Sequence, residues 1–178
     1  DFESYMQGAS ATGRAMLLTF DDALLSVYEV ALPLLREAGI PASVFAVSNY
    51  MGKTNQWPGQ PSFVPSFPVM TWDQAREMQG AGFEFGVHTA NHQRLAELDR
   101  VSIEKELDTC AERMKSELGK AARSVAYPYG STSPAVHNIA KTRFTMGFAT
   151  RVGFSNPEMD RLEIPRLDAY DLRSDFVF

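Results

Sequence analysis

Three short stretches of the chain carry residue types that can do chemistry together. The first is Leu17-Leu18-Thr19-Phe20-Asp21-Asp22, where an apolar run from Ala15 to Phe20 stops at two adjacent carboxylates. A bounded apolar run of this length reads as a buried strand. Adjacent carboxylates repel unless a cation or a shared proton relieves them. The plain alternative is that Asp22 caps the next helix. The second stretch is Gly86-Val87-His88-Thr89-Ala90-Asn91-His92, with two of the chain's three histidines four apart after another predicted strand. If the segment turns, both imidazoles converge on one point, and imidazole is the commonest side-chain metal ligand near neutral pH. Asp22 and His88 each close a strand, which puts them on one face of a sheet. One Asp and two His form a three-ligand set for a catalytic divalent metal, with positions left open for water. Asp21 is then free to act as general base. The third stretch is Val125-Ala126-Tyr127-Pro128-Tyr129-Gly130. Pro128 and Gly130 fix a sharp turn that can aim the Tyr129 N–H at a developing oxyanion.

These residues need a scaffold, and the remaining sequence describes one. The chain has 178 residues, of which 44% are hydrophobic and 22% charged. That suits one domain with a sizeable core, spanning residues 1–178 with its centre at about 15–170. A net charge of −5 gives no general electrostatic reason to bind nucleic acid. No apolar run approaches the roughly 20 residues of a membrane span, and no signal-peptide pattern is present. The lone cysteine, Cys110, excludes an internal disulfide and reads as a small core residue.

Helical spacing runs through Val27, Val30, Ala31, Leu34, Leu35 and Ala38, with Ser26 as a candidate cap and Gly39 as the stop. Pro33 predicts a kink or restart within it. A strand follows over Ala42 to Val47. Thr71-Trp72-Asp73-Gln74 is a capping-box pattern. Phe83 to Val87 is a third strand. Ile103, Leu107, Cys110, Met114 and Leu118 mark a long amphipathic helix, with Ser102 as expected cap and Gly119 as stop. Ser124 to Tyr127, Thr145 to Thr150 and Leu162 to Leu167 complete the strands, with a helix begun by Ser133-Pro134. Alternating strands and helices mean α/β with a parallel sheet or barrel. Residues 1–14 carry no pattern. Residues 48–70 break all periodicity and hold four prolines and the aromatics Tyr50, Trp57, Phe63 and Phe67. A loop this long is usually functional, and Trp57 has the largest face to stack on a sugar.

In order and in residue type, Thr19-Phe20-Asp21-Asp22, His88-Thr89-Ala90-Asn91-His92 and Tyr127-Pro128-Tyr129-Gly130 resemble the first three motifs of the polysaccharide deacetylases. These are the NodB-homology enzymes of carbohydrate esterase family 4. Residues 33–42 and the helix start at 71–74 resemble the family too, so the likeness runs from about 15 to 170. It implies an α/β fold, a distorted (β/α) barrel of about seven parallel strands. It implies metal-dependent removal of acetyl groups from N- or O-acetylated glycans. By the resemblance Asp21 is the base, and Asp22, His88 and His92 hold the metal. The Tyr129 amide contributes to the oxyanion hole, and Trp57, Tyr127 and Pro128 are candidates to touch substrate. Zn2+ is the first choice of metal, and Co2+, Ni2+ or Fe2+ fit the same ligands. The resemblance also implies a poly- or oligosaccharide substrate containing N-acetylglucosamine, and the family favours a secreted or cell-envelope location.

Two departures from the pattern stand out. Ala126 occupies a position where the family often has Arg, and in this the chain resembles the family's Ala-Tyr-Pro-Tyr-Gly branch. Arg166, in Pro165-Arg166, is the candidate replacement, against a surface arginine paired with Glu163 or Asp168. No histidine follows His137, which reads as a surface helical residue, so the proton donor for the leaving amine is unassigned. Two rival readings remain: a metallohydrolase of another amide, such as a cyclic imide or purine-like substrate, and a glycan-binding module with weak turnover.

Overall fold

Each apolar run followed by an amphipathic segment becomes a strand and a crossover, and the repeats line up in sequence order. The computed structural model describes residues 2–9 and 16–170. Its six strands are β1 (Leu18–Phe20), β2 (Ala42–Ala46), β3 (Glu84–Val87), β4 (Ser124–Ala126), β5 (Met146–Val152) and β6 (Ile164–Arg166). Every neighbouring pair is parallel, in the order β1-β2-β3-β4-β5-β6. The sheet curls into a half-barrel, and six strands replace the expected seven among the described residues. Ala15, the expected start of the first strand, lies outside them.

Helices α2 (Leu32–Glu37), α3 (Trp72–Gly80), α4 (Arg100–Leu118) and α5 (Pro134–Ala140) form the crossovers. Pro33 acts as a restart. A π-helical turn over Val27–Ala31 comes first, with the Leu32 N–H bonded to the Val27 carbonyl, and α2 begins with the proline in its first turn. Proline lacks the N–H that an unbroken helix would need there. Thr71 and Gln74 form the reciprocal capping box that their spacing predicts. Ser26 makes no side-chain cap bond. Helix α4 is capped by Asp99, whose side chain accepts the Ser102 N–H at 2.8 Å, so the helix starts two residues before the expected Ser102 cap.

Two apolar clusters flank the sheet. The larger lies between strands and helices and includes Val44, Val87, Leu107, Cys110, Met114 and Val125. The smaller fills the concave side with Phe45, Ala126, Met146, Phe148 and Ile164. A short helix from the unpatterned start of the chain, α1 (Phe2–Met6), packs against this second cluster through Met6, Phe2 and Tyr5. Phe2 stacks on Phe148 at 6.2 Å. Gly86 on β3 leaves room for the Phe45 ring, since a Cβ there would meet it and Ser124 Oγ inside van der Waals contact.

Candidate metal centre and active site

The carboxyl ends of β1, β3, β4 and β6 carry the chemistry-bearing residues, and three of the loops that follow turn sharply. The non-glycine residues with left-handed backbone among those described are Asp22, Ala23, Thr89, His92 and Tyr129, with φ from 51° to 69°. All belong to these loops. The left-handed turn after β1 takes Asp22 away from any helix cap and toward the histidines. Its Oδ1 lies 3.4 Å from His88 Nε2 and 3.2 Å from His92 Nε2. One ligand atom from each of these residues lies within 4.8 Å of the others.

The histidine loop is tied down from both sides. The Glu106 carboxylate on α4 accepts the Asn91 N–H at 2.8 Å and the Asn91 Nδ2–H at 2.6 Å. Asn49 Nδ2 donates to Asn91 Oδ1 at 2.9 Å. The Ala90 N–H donates to the Glu106 carbonyl at 3.0 Å, and the Asn49 N–H to the Ala90 carbonyl at 3.1 Å. Glu106 escaped sequence reading, yet it left a signal. It falls three residues after Ile103 on the apolar stripe of α4, and a carboxylate there needs a buried partner.

The donor set fits a divalent cation. A backbone carbonyl only accepts, so the 2.8 Å contact between His88 Nδ1 and the Ala126 carbonyl puts the ring proton on Nδ1. When the ring is neutral, its Nε2 lone pair turns toward Asp22 Oδ1. That oxygen is buried and has no hydrogen-bond partner among the described residues. Lone pairs facing lone pairs in a buried site call for a positive ion, and one oxygen with two imidazole nitrogens suits a divalent metal. The electrostatics agree. Burial disfavours charge on Asp22, but His88 and His92 outweigh it and hold the carboxyl far below the usual range. Burial likewise works against a charged His88, but Asp22 and Asp21 raise its pKa overall, whereas burial keeps that of His92 low. A site that draws a proton onto His88 draws a metal ion in competition with it.

Asp21 is gripped from the far edge of the sheet. Arg166 Nη1 donates to its Oδ1 and Nη2 to its Oδ2, both at 2.8 Å, and Nη1 also reaches Thr19 Oγ1 at 3.2 Å. Arg166 thus pairs with Asp21 rather than with Glu163 or Asp168. Burial pushes the Asp21 carboxyl up, but the Arg166 fork, helped by His88, brings it below the usual range. The guanidinium lies near the Phe45 and Phe148 rings, at 6.0 and 5.9 Å. Ala126 could not supply this charge, being a wholly buried methyl on the concave face.

Tyr129 sits in a left-handed turn with φ of 57°. The Gly130 N–H returns to the Tyr127 carbonyl at 2.9 Å and the Ser131 N–H to the Pro128 carbonyl at 3.0 Å. The Tyr129 N–H takes part in neither bond. Gly130 also has positive φ, and a Cβ on it would collide with Thr150 Oγ1.

Three expected substrate contacts need correction. Trp57 is 3% exposed and stacks on His92, with ring centroids 4.2 Å apart, so it offers no open face to a sugar. Backbone bonds from Asn55 to Phe67, Val69 to Lys53 and Met70 to Ala23 fold its loop down onto the strand ends. Tyr127 is 1% exposed, with its hydroxyl buried in the core, and Pro128 is buried as well. Phe63 and Phe67 are the exposed aromatics of that loop. His137 is half-buried and lies 2.7 Å from Asp160, not in the site.

The model of one family, polysaccharide deacetylase, matches residues 8–145. The chain belongs to the polysaccharide deacetylase family. It is 24% identical over 177 aligned positions to the poly-beta-1,6-N-acetyl-D-glucosamine N-deacetylase of Staphylococcus epidermidis, covering 94% of this chain. The chain spans 58% of the length of that curated relative. Among solved structures, IcaB from Ammonifex degensii superposes with a TM-score of 0.78 at 27% identity, covering 93% of this chain and 72% of the other. The BpsB deacetylase domain from Bordetella bronchiseptica does so with 0.79 at 25%, covering 93% and 75%. Both solved structures share the fold of the curled parallel sheet, and family membership fits the divalent-metal triad.

Proposed function

We propose that this chain hydrolyses N-acetyl groups on a glycan built from N-acetylglucosamine, using a divalent metal held by Asp22, His88 and His92. The observation that carries the reading is the juxtaposition of this triad with an Asp21 carboxylate kept ionised by Arg166. Zinc is the metal of choice for the donor set, with cobalt, nickel and iron(II) acceptable. When bound it supplies Lewis acidity, toward water and toward the acetyl carbonyl.

The protein's own groups do the rest. Asp21 takes the proton of the attacking water, because each carboxylate oxygen keeps a lone pair beyond the one that Arg166 occupies. Arg166 holds that carboxylate in one orientation. The Tyr129 N–H donates to the oxygen that becomes negative as the carbonyl turns tetrahedral. Among the described residues no further histidine stands at the site, so Asp21 returns its proton to the leaving amine. The named S. epidermidis relative supports a β-1,6-linked polymer as substrate. A secreted or envelope location goes with such a polymer. No helix of the described residues is long and apolar enough to cross a membrane.

The test is acetate release from acetylated β-1,6- and β-1,4-linked glucosamine oligomers, before and after chelation and after metal is restored. We expect metal-dependent release from the oligomers and none from cyclic imides. A stoichiometrically metallated protein that binds the oligomers without releasing acetate would support a binding module. One that opens cyclic imides instead would support the other hydrolase class.

A further inference from the structure

The two histidines of the triad are steadied in different ways. His88 has the usual second hydrogen bond of a metal-ligating imidazole, from Nδ1 to the Ala126 carbonyl. His92 has none: its Nδ1 is buried and unpartnered among the described residues. Its ring is held by other rings. Trp57 lies over it at 4.2 Å with 29° between the planes. Tyr129 meets it at 4.7 Å and 76°, and His88 at 4.9 Å and 69°. Tyr50 in turn abuts Trp57 edge-on, at 5.7 Å and 89°.

Trp57 is an unusual residue to bury here. Its Nε1–H has no partner among the described residues, although a buried indole normally finds one. A hydrogen bond therefore does not account for its place, whereas the flat contact with His92 does. A stacked face fixes the plane of the imidazole and so the direction of Nε2. We propose that Trp57 is the positioning residue for His92, its indole face standing in for the missing second hydrogen bond and keeping Nε2 aimed at the metal. The inference rests on the metal reading of the triad and is independent of the substrate. It makes the 48–70 loop a wall of the metal centre.

The chain has two tryptophans, so the W72F protein reports on Trp57 alone. Cobalt(II) quenches indole emission at short range and zinc does not. Cobalt added to metal-free W72F should quench most of the Trp57 emission with a one-to-one end point, and zinc should restore it. In W57L, chelator competition should show zinc bound about tenfold more weakly, the size of effect that orienting partners of metal ligands have. W57F, which keeps an aromatic face, should recover most of that loss. Cobalt bound one-to-one with Trp57 emission unchanged would overturn the role of Trp57 and leave the metal reading intact, as would an unaltered zinc affinity in W57L. A parent protein that takes up no metal by elemental analysis would overturn both. The quenching titration keeps Trp57 in place, so unchanged emission overturns the proposal even if W57L does not fold, and an unaltered zinc affinity in W57A would do the same.

Discussion

Arg166 and Asp21 stand at opposite edges of the sheet, 145 residues apart, and two 2.8 Å hydrogen bonds join them. In the strand order β1 and β6 are the outermost strands and do not pair with each other. The curled sheet is therefore bridged at its carboxyl end by a charged fork, and the same fork holds the proposed base.

Removing that fork should cost rate before it costs metal. We expect Arg166→Ala to lower kcat by about 10²-fold or more, the scale of a general base's contribution, with metal content unchanged by elemental analysis. Arg166 lowers the Asp21 pKa, so its loss raises that pKa and moves the acid limb of the rate profile to higher pH. The stability effect has the matching sign. A lowered carboxyl pKa stabilises the fold above the unfolded value of about 3.9 and stops doing so as pH falls through the folded one. Parent and variant should thus differ in denaturant midpoint at neutral pH and converge in acid. Arg166→Lys should rescue only in part, because a point charge cannot form the fork.

Asp21→Asn and His88→Ala should separate the base from the ligands. The first should keep near-stoichiometric metal and lose most activity. The second should lose metal, since it removes one of the three convergent donors. Metal lost from Asp21→Asn but kept in His88→Ala would reverse the assignment.

Glu106→Ala should strand two partly buried donors of Asn91, next to His92. A fully buried donor without a partner costs about 1–3 kcal/mol, and partial exposure puts these at or below the lower end. The variant should melt lower and bind metal more weakly. Glu106→Gln, able to accept only one of the two bonds at full strength, should fall between. A calorimetric melt and a zinc affinity that both match the parent would remove Glu106 from the support of the loop.

Cys110 should be inert in the folded protein. Burial pushes its thiol up to about 11, and it is fully buried in the main core. Iodoacetamide at pH 8 should label it only in denaturant, as read by intact mass.

Much of this was legible beforehand because the chemistry sits where strands stop. An apolar run ending in Asp21-Asp22, or in His88, announces both the strand and the face that its last residue joins. Arg166 was legible through a vacancy, since Ala126 stands where a charge was wanted. Trp57 was misread because composition cannot tell an open loop from one folded back, and it is the cross-loop bond from Met70 to Ala23 that folds this one back. Helix α1 was missed because five residues are too few for a periodicity, and only the concave cluster gives Phe2 and Met6 a reason to pack. The Ser102 cap failed by a rival: Asp99 is an equally good cap one turn earlier.

The left-handed turns at Asp22, Ala23, Thr89, His92 and Tyr129 have a thermodynamic sequel. Each disfavours the folded chain by about 1–2 kcal/mol relative to an ordinary backbone conformation, and folding meets that cost whether or not an ion is present. The bonds that hold the histidine loop come from Glu106 and Asn49 rather than from the three donors, so a metal ion should find its donors assembled with little conformational entropy left to lose. The chain then behaves as a rigid chelator, for which far-UV circular dichroism before and after metal should superimpose.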